Sequence, residues 1–349
     1  MDLIDLGYGP DLHHAFSSLS RPDLRPARVI REDRGRLLVD DGAGPRPAEP
    51  LGRLRQADPL QWPAVGDWVA LAPIDDGPSL VHAVLPRRSA FVRGQAGRRD
   101  APQCVAANVD TVLVAMALDG DLNLRRLERY LVLVLRSGAA AVVLLTKADR
   151  CADPAAARER VASVAGDTPI HVICAPRDEG LDALAGSLHR GTTVALVGSS
   201  GVGKSTLINH LLGHERMATG VVLDDGRGRH TTRSRQLVVL PGGGCLIDTP
   251  GMRELQLWGE EDDLDAGFAD IDELAAGCRF RDCEHESEPG CAVRAAVDEG
   301  RLDPERLASF AKLRAELRAH AERSDPQARR RQGRRFAKMA TQVQRLKRR

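Results

Sequence analysis

The chain has 349 residues, 42% of them hydrophobic, with 50 Lys and Arg against 49 Asp and Glu. At about 150 residues per domain this is two or three domains with apolar content for real cores, which excludes wholesale disorder. No apolar run approaches the ~18 residues of a membrane span, and Met1-Asp2-Leu3-Ile4-Asp5 lacks the parts of a secretion signal, so a cytoplasmic chain without a membrane partner is expected.

Residues 1–25 are polar and irregular and read as a flexible arm. From 26 to 97, short apolar stretches alternate with turn residues. Examples are Val29-Ile30, Leu37-Leu38-Val39 before Asp41-Gly42, and Trp68-Val69-Ala70-Leu71. This spacing predicts a small β-barrel, although a sandwich fragment would share it. Residues 98–258 have a different texture. Strands are predicted at 110–117, 141–145, 170–174 and 193–197, and helices at 124–135 and 205–212. Residues 237–240 and 245–247 flank Pro241-Gly242-Gly243-Gly244 as a hairpin. The sum is a mostly parallel α/β domain. Residues 259–349 are helical in pattern, interrupted by a Cys/His cluster and broken near Asp325-Pro326.

The near-neutral total hides a split. Residues 312–349 carry fourteen basic and three acidic residues, a net +11, which leaves −10 on the rest. A basic tail on an acidic body suits a polyanionic partner, and a solvated helix or disordered tail without a partner has the same composition. Lysine is scarce: Lys147 and Lys204 are the only two before residue 312. A position that keeps Lys in an Arg-rich chain can need a compact ammonium.

Gly198-Ser199-Ser200-Gly201-Val202-Gly203-Lys204-Ser205-Thr206 matches the G-x-x-x-x-G-K-[ST] phosphate loop between a predicted strand and a predicted helix. The glycines let backbone N–H groups approach phosphate oxygens, and the helix N-terminus adds partial positive charge. Lys204 would reach the β- and γ-phosphates, and Ser205 would bind Mg²⁺.

The phosphate loop does not choose the base. Thr146-Lys147-Ala148-Asp149 does, as it resembles the Asn/Thr-Lys-x-Asp guanine motif. A carboxylate at Asp149 can accept from the guanine ring N–H and the exocyclic amine, and adenine offers no such pair of donors. The Lys147 stem can lie over the base. Thr146 in place of Asn would forgo some contacts to the phosphate loop and base. Cys174-Ala175 fits the small loop whose backbone N–H meets the guanine oxygen, and Cys174 also fits as core.

Asp248-Thr249-Pro250-Gly251 resembles the D-x-x-G switch, with Asp248 toward Mg²⁺ and Gly251 sensing the γ-phosphate. Between the two motifs lies Gly228-Arg229-His230-Thr231-Thr232. A Thr there can complete the Mg²⁺ shell, and Thr232 is favoured over Thr231. Met252 follows Gly251 where many GTPases place a water-orienting Gln, which makes His230 the internal candidate for that role. The base motif precedes the phosphate loop, so the chain is circularly permuted relative to ordinary small GTPases.

Cys278, Cys283, His285 and Cys291 lie within 14 residues. Three thiolates and an imidazole would close a tetrahedral zinc site with no position for water, which is a structural role. The alternative is three incidental thiols.

Together these features resemble the bacterial small-ribosomal-subunit biogenesis GTPases of the RsgA (YjeQ) family. The shared features include Val65-Gly66-Asp67-Trp68-Val69, Asn108-Val109-Asp110, the permuted order, Gly-Arg-His-Thr-Thr at 228–232 and the cluster spacing. The resemblance implies a multidomain α/β and β protein: an N-terminal OB-fold, a central permuted GTPase domain and a C-terminal zinc-binding helical domain. It implies GTP hydrolysis to GDP stimulated by the small ribosomal subunit, contact with 16S rRNA and late subunit maturation. It supports one Zn²⁺ at Cys278, Cys283, His285 and Cys291, and His230 as a catalytic group. Arg233 stands where the family often has another Thr, so the Mg²⁺-binding Thr stays open. A monomer is expected. The competing readings are a P-loop ATPase or kinase, and a zinc-containing RNA-binding module with a passive nucleotide site.

Overall fold

The computed structural model describes residues 2–33, 35–56, 58–94, 102–184, 186–213, 235–248, 264 and 267–324. His230, Thr231, Thr232, Gly251 and the basic tail beyond Ser324 lie outside them, as does the Asp248 side chain. The chain divides into two compact units, one of residues 1–93 and 102–255, the other of 94–101 and 256–349.

The first unit begins with helix α1 (Pro10–Ser17), opened by a proline at its first position. This corrects the expectation of a flexible arm. Leu6 and Leu12 are buried, and Tyr8 packs its ring 4.9 Å from that of Trp68. Arg190 bridges Asp2 and Asp5 at 2.8 and 2.6 Å. The apolar residues that anchor the segment are few and separated by polar ones, which hid the signal.

The barrel follows: β1 (Arg25–Asp33), β2 (Arg36–Asp40), β3 (Pro45–Pro50), the short helix α2 (Gly52–Gln56), β4 (Trp68–Ala72) and β5 (Ser79–Val84). Its strand order is β1-β2-β3-β5-β4, and β4 closes back on β1. This is a five-stranded barrel of the OB type. Ala27, Val29, Leu37, Val39, Val69, Leu71 and Val81 fill it, at the alternating positions a closed sheet requires.

Strands β6 (Ala90–Gly94) and β7 (Pro102–Ala107) form a separate ribbon. The α/β part then runs β8 (Thr111–Ala117), α3 (Leu124–Ser137), β9 (Ala140–Thr146), α4 (Pro154–Ala165), β10 (Ile170–Val172), β11 (Thr193–Val197), α5 (Lys204–Leu212), β12 (Arg235–Val239) and β13 (Cys245–Asp248). Asn123 caps α3 by accepting from the Arg126 N–H, and Gly138 ends it in the left-handed conformation. The sheet order is β10-β9-β8-β11-β13-β12, parallel except for the β12–β13 hairpin. The central strands β8, β9, β11 and β13 are buried on both faces, as parallel strands covered by helices must be, while β10 and β12 are partly exposed.

The two parts share one sheet. β12 pairs antiparallel with β1, with Arg31 opposite Gln236 and Glu32 opposite Arg235. The Arg28 guanidinium is fully buried and donates to the carbonyls of Leu6, Gly66 and Asn108. One side chain thus ties the arm, the barrel and the entry to the α/β part. Gly66 is required at this junction, because a Cβ there would sit 2.1 Å from the Ala107 carbonyl oxygen. Asp67 beside it is also fully buried and pairs bidentately with Arg87 at 2.8 and 2.7 Å. Burial raises the Asp67 pKa, against the pull of Arg87. Asp67→Ala should lower stability by about 3–5 kcal/mol, because it strands the Arg87 charge. Denaturant unfolding of the variant checks this.

The second unit contains α6 (Ala269–Ala275), α7 (Ala292–Asp298) and α8 (Pro304–Ser324). Phe268, Ile271, Val293, Leu313 and Leu317 are buried in it. Phe268 and Phe310 meet edge to face at 5.3 Å, and Arg306 lies over Phe268 while pairing with Asp270. No described helix is long and apolar enough to cross a membrane.

Candidate functional site

Loops at the C-terminal ends of parallel strands form the site, as open α/β sheets dictate. β9 delivers Thr146 and Lys147, and a 3₁₀ turn of Ala148–Arg150 carries Asp149. β11 delivers Gly198, and Lys204 opens α5. Gly198 has φ +149°, and a Cβ on it would lie 2.5 Å from the Ala115 carbonyl oxygen. Only glycine lets the phosphate loop turn this close to β8. Gly201 and Gly203 also have positive φ. Lys204 donates from Nζ to the carbonyls of Gly198 and Ser199 at 2.8 and 2.5 Å, folded over its own loop. Ser205 and Thr206 are exposed in the first turn of α5.

The base motif and the phosphate loop are in direct contact. Thr146 Oγ1 donates to the Val202 carbonyl at 2.7 Å, so the hydroxyl supplies a tether to the phosphate loop that its sequence did not lead us to expect. Lys147 has φ +57°, a left-handed conformation unusual for a non-glycine. The Cys174 thiol donates to Asp149 Oδ1 at 3.3 Å and is wholly buried. Ala175 starts the next turn. A cavity of about 150 Å³ opens among Lys147, Asp149, Ile173, Ala175, Gly203 and Thr206. It has an apolar side at Ile173 and a carboxylate at Asp149, the combination a flat base with polar edges needs. Asp248 ends β13, the parallel neighbour of β11, and so lies on the same edge of the sheet.

Sequence reasoning missed two residues here, Asp119 and Asp121, in the turn after β8. Asp119 pairs with Lys147 at 2.5 Å, and Asp121 accepts from the Ser199 hydroxyl. Burial opposes ionisation of Asp121, but hydrogen bonds from Ser199 and Arg126 outweigh it and hold its pKa below the usual carboxylate value. The signal available was an acidic pair just past the C-terminal end of a predicted parallel strand.

In the second unit the ligand atoms of Cys278, Cys283, His285 and Cys291 all lie within 4.8 Å of one another. Cys278 and Cys291 are 3.9 Å apart at sulfur, and His285 Nδ1 is 3.7 and 3.5 Å from them. A tetrahedron with metal–sulfur bonds of ~2.3 Å and a metal–nitrogen bond of ~2.0 Å has edges of about 3.5–3.8 Å. The cluster therefore fits a tetrahedral metal ion. His285 reaches it from a left-handed backbone, and the Arg294 N–H at the start of α7 donates to Cys291 Sγ at 3.4 Å.

A phosphate loop on β11, with its base motif on an earlier strand two places away, defines a P-loop nucleotide-binding protein with its motifs in permuted order. A family model described as RsgA GTPase matches residues 84–258. The small ribosomal subunit biogenesis GTPase RsgA 2 of Lactiplantibacillus plantarum is 49% identical over 83% of this chain and 82% of its own length. The small ribosomal subunit biogenesis GTPase RsgA of Opitutus terrae is 46% identical over 93% of this chain and 92% of its own length. The chain belongs to the RsgA GTPase family. The crystal structure of YjeQ from Thermotoga maritima superposes with a TM-score of 0.62 at 26% identity, covering 84% of this chain and 98% of that one. YloQ, a circularly permuted GTPase, shares the fold with a TM-score of 0.58, covering 85% and 96%.

Proposed function

We propose that this protein hydrolyses GTP to GDP and phosphate, binds the small ribosomal subunit and 16S rRNA, and assists late maturation of that subunit. The observation that carries this reading is the single cavity shared by Lys147, Asp149, Ala175, Gly203 and Thr206. It joins a guanine-selective carboxylate to a phosphate loop in a chain of the RsgA family.

In this reading Asp149 accepts from guanine, Lys147 covers the base, and Ala148, Cys174 and Ala175 complete the pocket. Residues 198–206 hold the phosphates. Ser205, with Thr232 or Thr231 and Asp248, would hold Mg²⁺, which neutralises phosphate charge when bound. Gly251 senses the γ-phosphate and His230 orients the attacking water. Cys278, Cys283, His285 and Cys291 hold one structural Zn²⁺. Residues 26–97 meet rRNA, 98–258 handle the nucleotide, and 259–349 carry the metal and the basic helices. The protein acts as a cytoplasmic monomer. The basic tail adds salt-sensitive affinity for RNA phosphates.

The test is multiple-turnover GTP hydrolysis with and without purified small subunits. Stimulation of at least about tenfold is expected, equal to a barrier lowered by about 1.4 kcal/mol. No stimulation would remove the ribosomal assignment, and equal affinity for ATP and GTP would remove the base assignment.

A further inference from the structure

β8 lies between β9 and β11 in the sheet. β9 ends in the base motif and β11 ends in the phosphate loop. The turn that leaves β8 therefore emerges between the two halves of the nucleotide site. That turn is Leu118-Asp119-Gly120-Asp121, and its two carboxylates face opposite halves.

Asp119 Oδ2 lies 2.5 Å from Lys147 Nζ and 3.8 Å from Arg150 Nη1. Asp121 Oδ2 accepts from the Ser199 hydroxyl, and its Oδ1 lies 2.8 Å from Arg126 Nη2. Arg126 also donates to the Asp121 backbone carbonyl, so the first turn of α3 fixes this carboxylate from behind. The Asp119–Lys147 pair is about three-quarters withdrawn from solvent on both sides, with 22% and 26% of the side chains exposed. Fully exposed ion pairs are worth little, whereas charge-assisted contacts in partly dry geometry are stronger. Lys147 also holds an unfavourable left-handed backbone, so an anchor on its side chain has conformational work to oppose.

We propose that Asp119 and Asp121 are positioning residues that act as a two-sided clamp. Asp119 sets Lys147 over the base, and Asp121 sets Ser199 within the phosphate loop. The inference rests on the nucleotide reading above. It assigns different ligand parts to the two carboxylates, and that difference is measurable.

The experiment uses the full-length chain, with GDP and inorganic tripolyphosphate as probes in calorimetric titrations. Asp119→Ala should weaken GDP binding about tenfold and leave tripolyphosphate binding unchanged, because only the base contact depends on Lys147. Asp121→Ala should weaken both probes by about tenfold, because the phosphate loop itself is loosened. In the clamp each carboxylate acts on the nucleotide through a single side chain, whatever else holds it, so Asp119→Ala should add nothing to Lys147→Ala, and Asp121→Ala nothing to Ser199→Ala. If an alanine variant melts earlier than the parent, the isosteric Asp119→Asn and Asp121→Asn replace it. Additive losses, or equal effects of both substitutions on both probes, would overturn the clamp while leaving the guanine site intact. Failure of the parent chain to bind GDP would overturn both readings.

Discussion

Asp149→Asn should weaken GDP binding by about 10³-fold and give xanthine nucleotides the advantage. The carboxylate can accept from both the ring N–H and the exocyclic amine of guanine. An asparagine keeps one acceptor and turns an N–H toward the exocyclic amine, donor against donor. Xanthine carries a carbonyl at that position and restores the match. The surroundings of Asp149 sharpen the effect. Cys174 already donates to one of its oxygens from a fully buried position, and Ile173 walls one side of the cavity, so the carboxylate is held in place before the base arrives. Titration with fluorescent GDP and XDP checks both halves. A folded variant with unchanged GDP affinity would exclude Asp149 from base selection.

The second large effect concerns the metal cluster. Chelation, or Cys283→Ser, should abolish the helical signal of α6 and α7 while GDP binding persists. Structural zinc in small domains contributes about 10–16 kcal/mol at neutral pH, more than such a domain holds in reserve. Among the described residues, the loop of 276–291 is otherwise held by backbone turns, a Glu288 carboxylate that accepts from the N–H groups of residues 284, 286 and 287, the His285 ring beside Phe310, Arg279 over Phe280 and an ion pair from Arg318 to Glu284. No nucleotide-site side chain named above belongs to this unit. Acid should release the metal as well, because protons compete for thiolates and imidazole. Circular dichroism alongside a metal assay separates the two units. Retention of full helicity without metal would make the cluster incidental.

Local patterns made the α/β part legible. The strand predicted at 193–197 coincides with β11, and the helix predicted at 124–135 extends only two residues further before Gly138 stops it. Glycine and apolar runs mark such boundaries within a few residues of themselves. The metal ligands were legible because their spacing is short. What escaped was long-range. Nothing near Glu32 announces that it will lie opposite Arg235, and nothing near Asp119 announces Lys147. The N-terminal segment was misread because Leu6 finds its burial against parts of the chain that are distant in sequence. Four of the proposed switch residues, His230, Thr231, Thr232 and Gly251, fall outside the described residues.

The seam between β1 and β12 bears on how the chain matures during its own synthesis. The barrel strands pair among themselves within the first ninety residues, so the barrel can close soon after it leaves the ribosome. The edge of β1 that receives β12 must then wait for about 150 further residues, from the end of β5 at Val84 to Arg235. At ordinary elongation rates that interval is roughly 8–30 s. Throughout it the nascent chain displays a preformed, unpaired strand edge, a feature that invites wrong partners. Glu32 faces that gap until Arg235 arrives, and its charge disfavours adhesion to another apolar strand. The permuted order also means that the base-recognition strand β9 is made before the phosphate loop. The nucleotide therefore cannot template the site until the barrel edge is close to being capped.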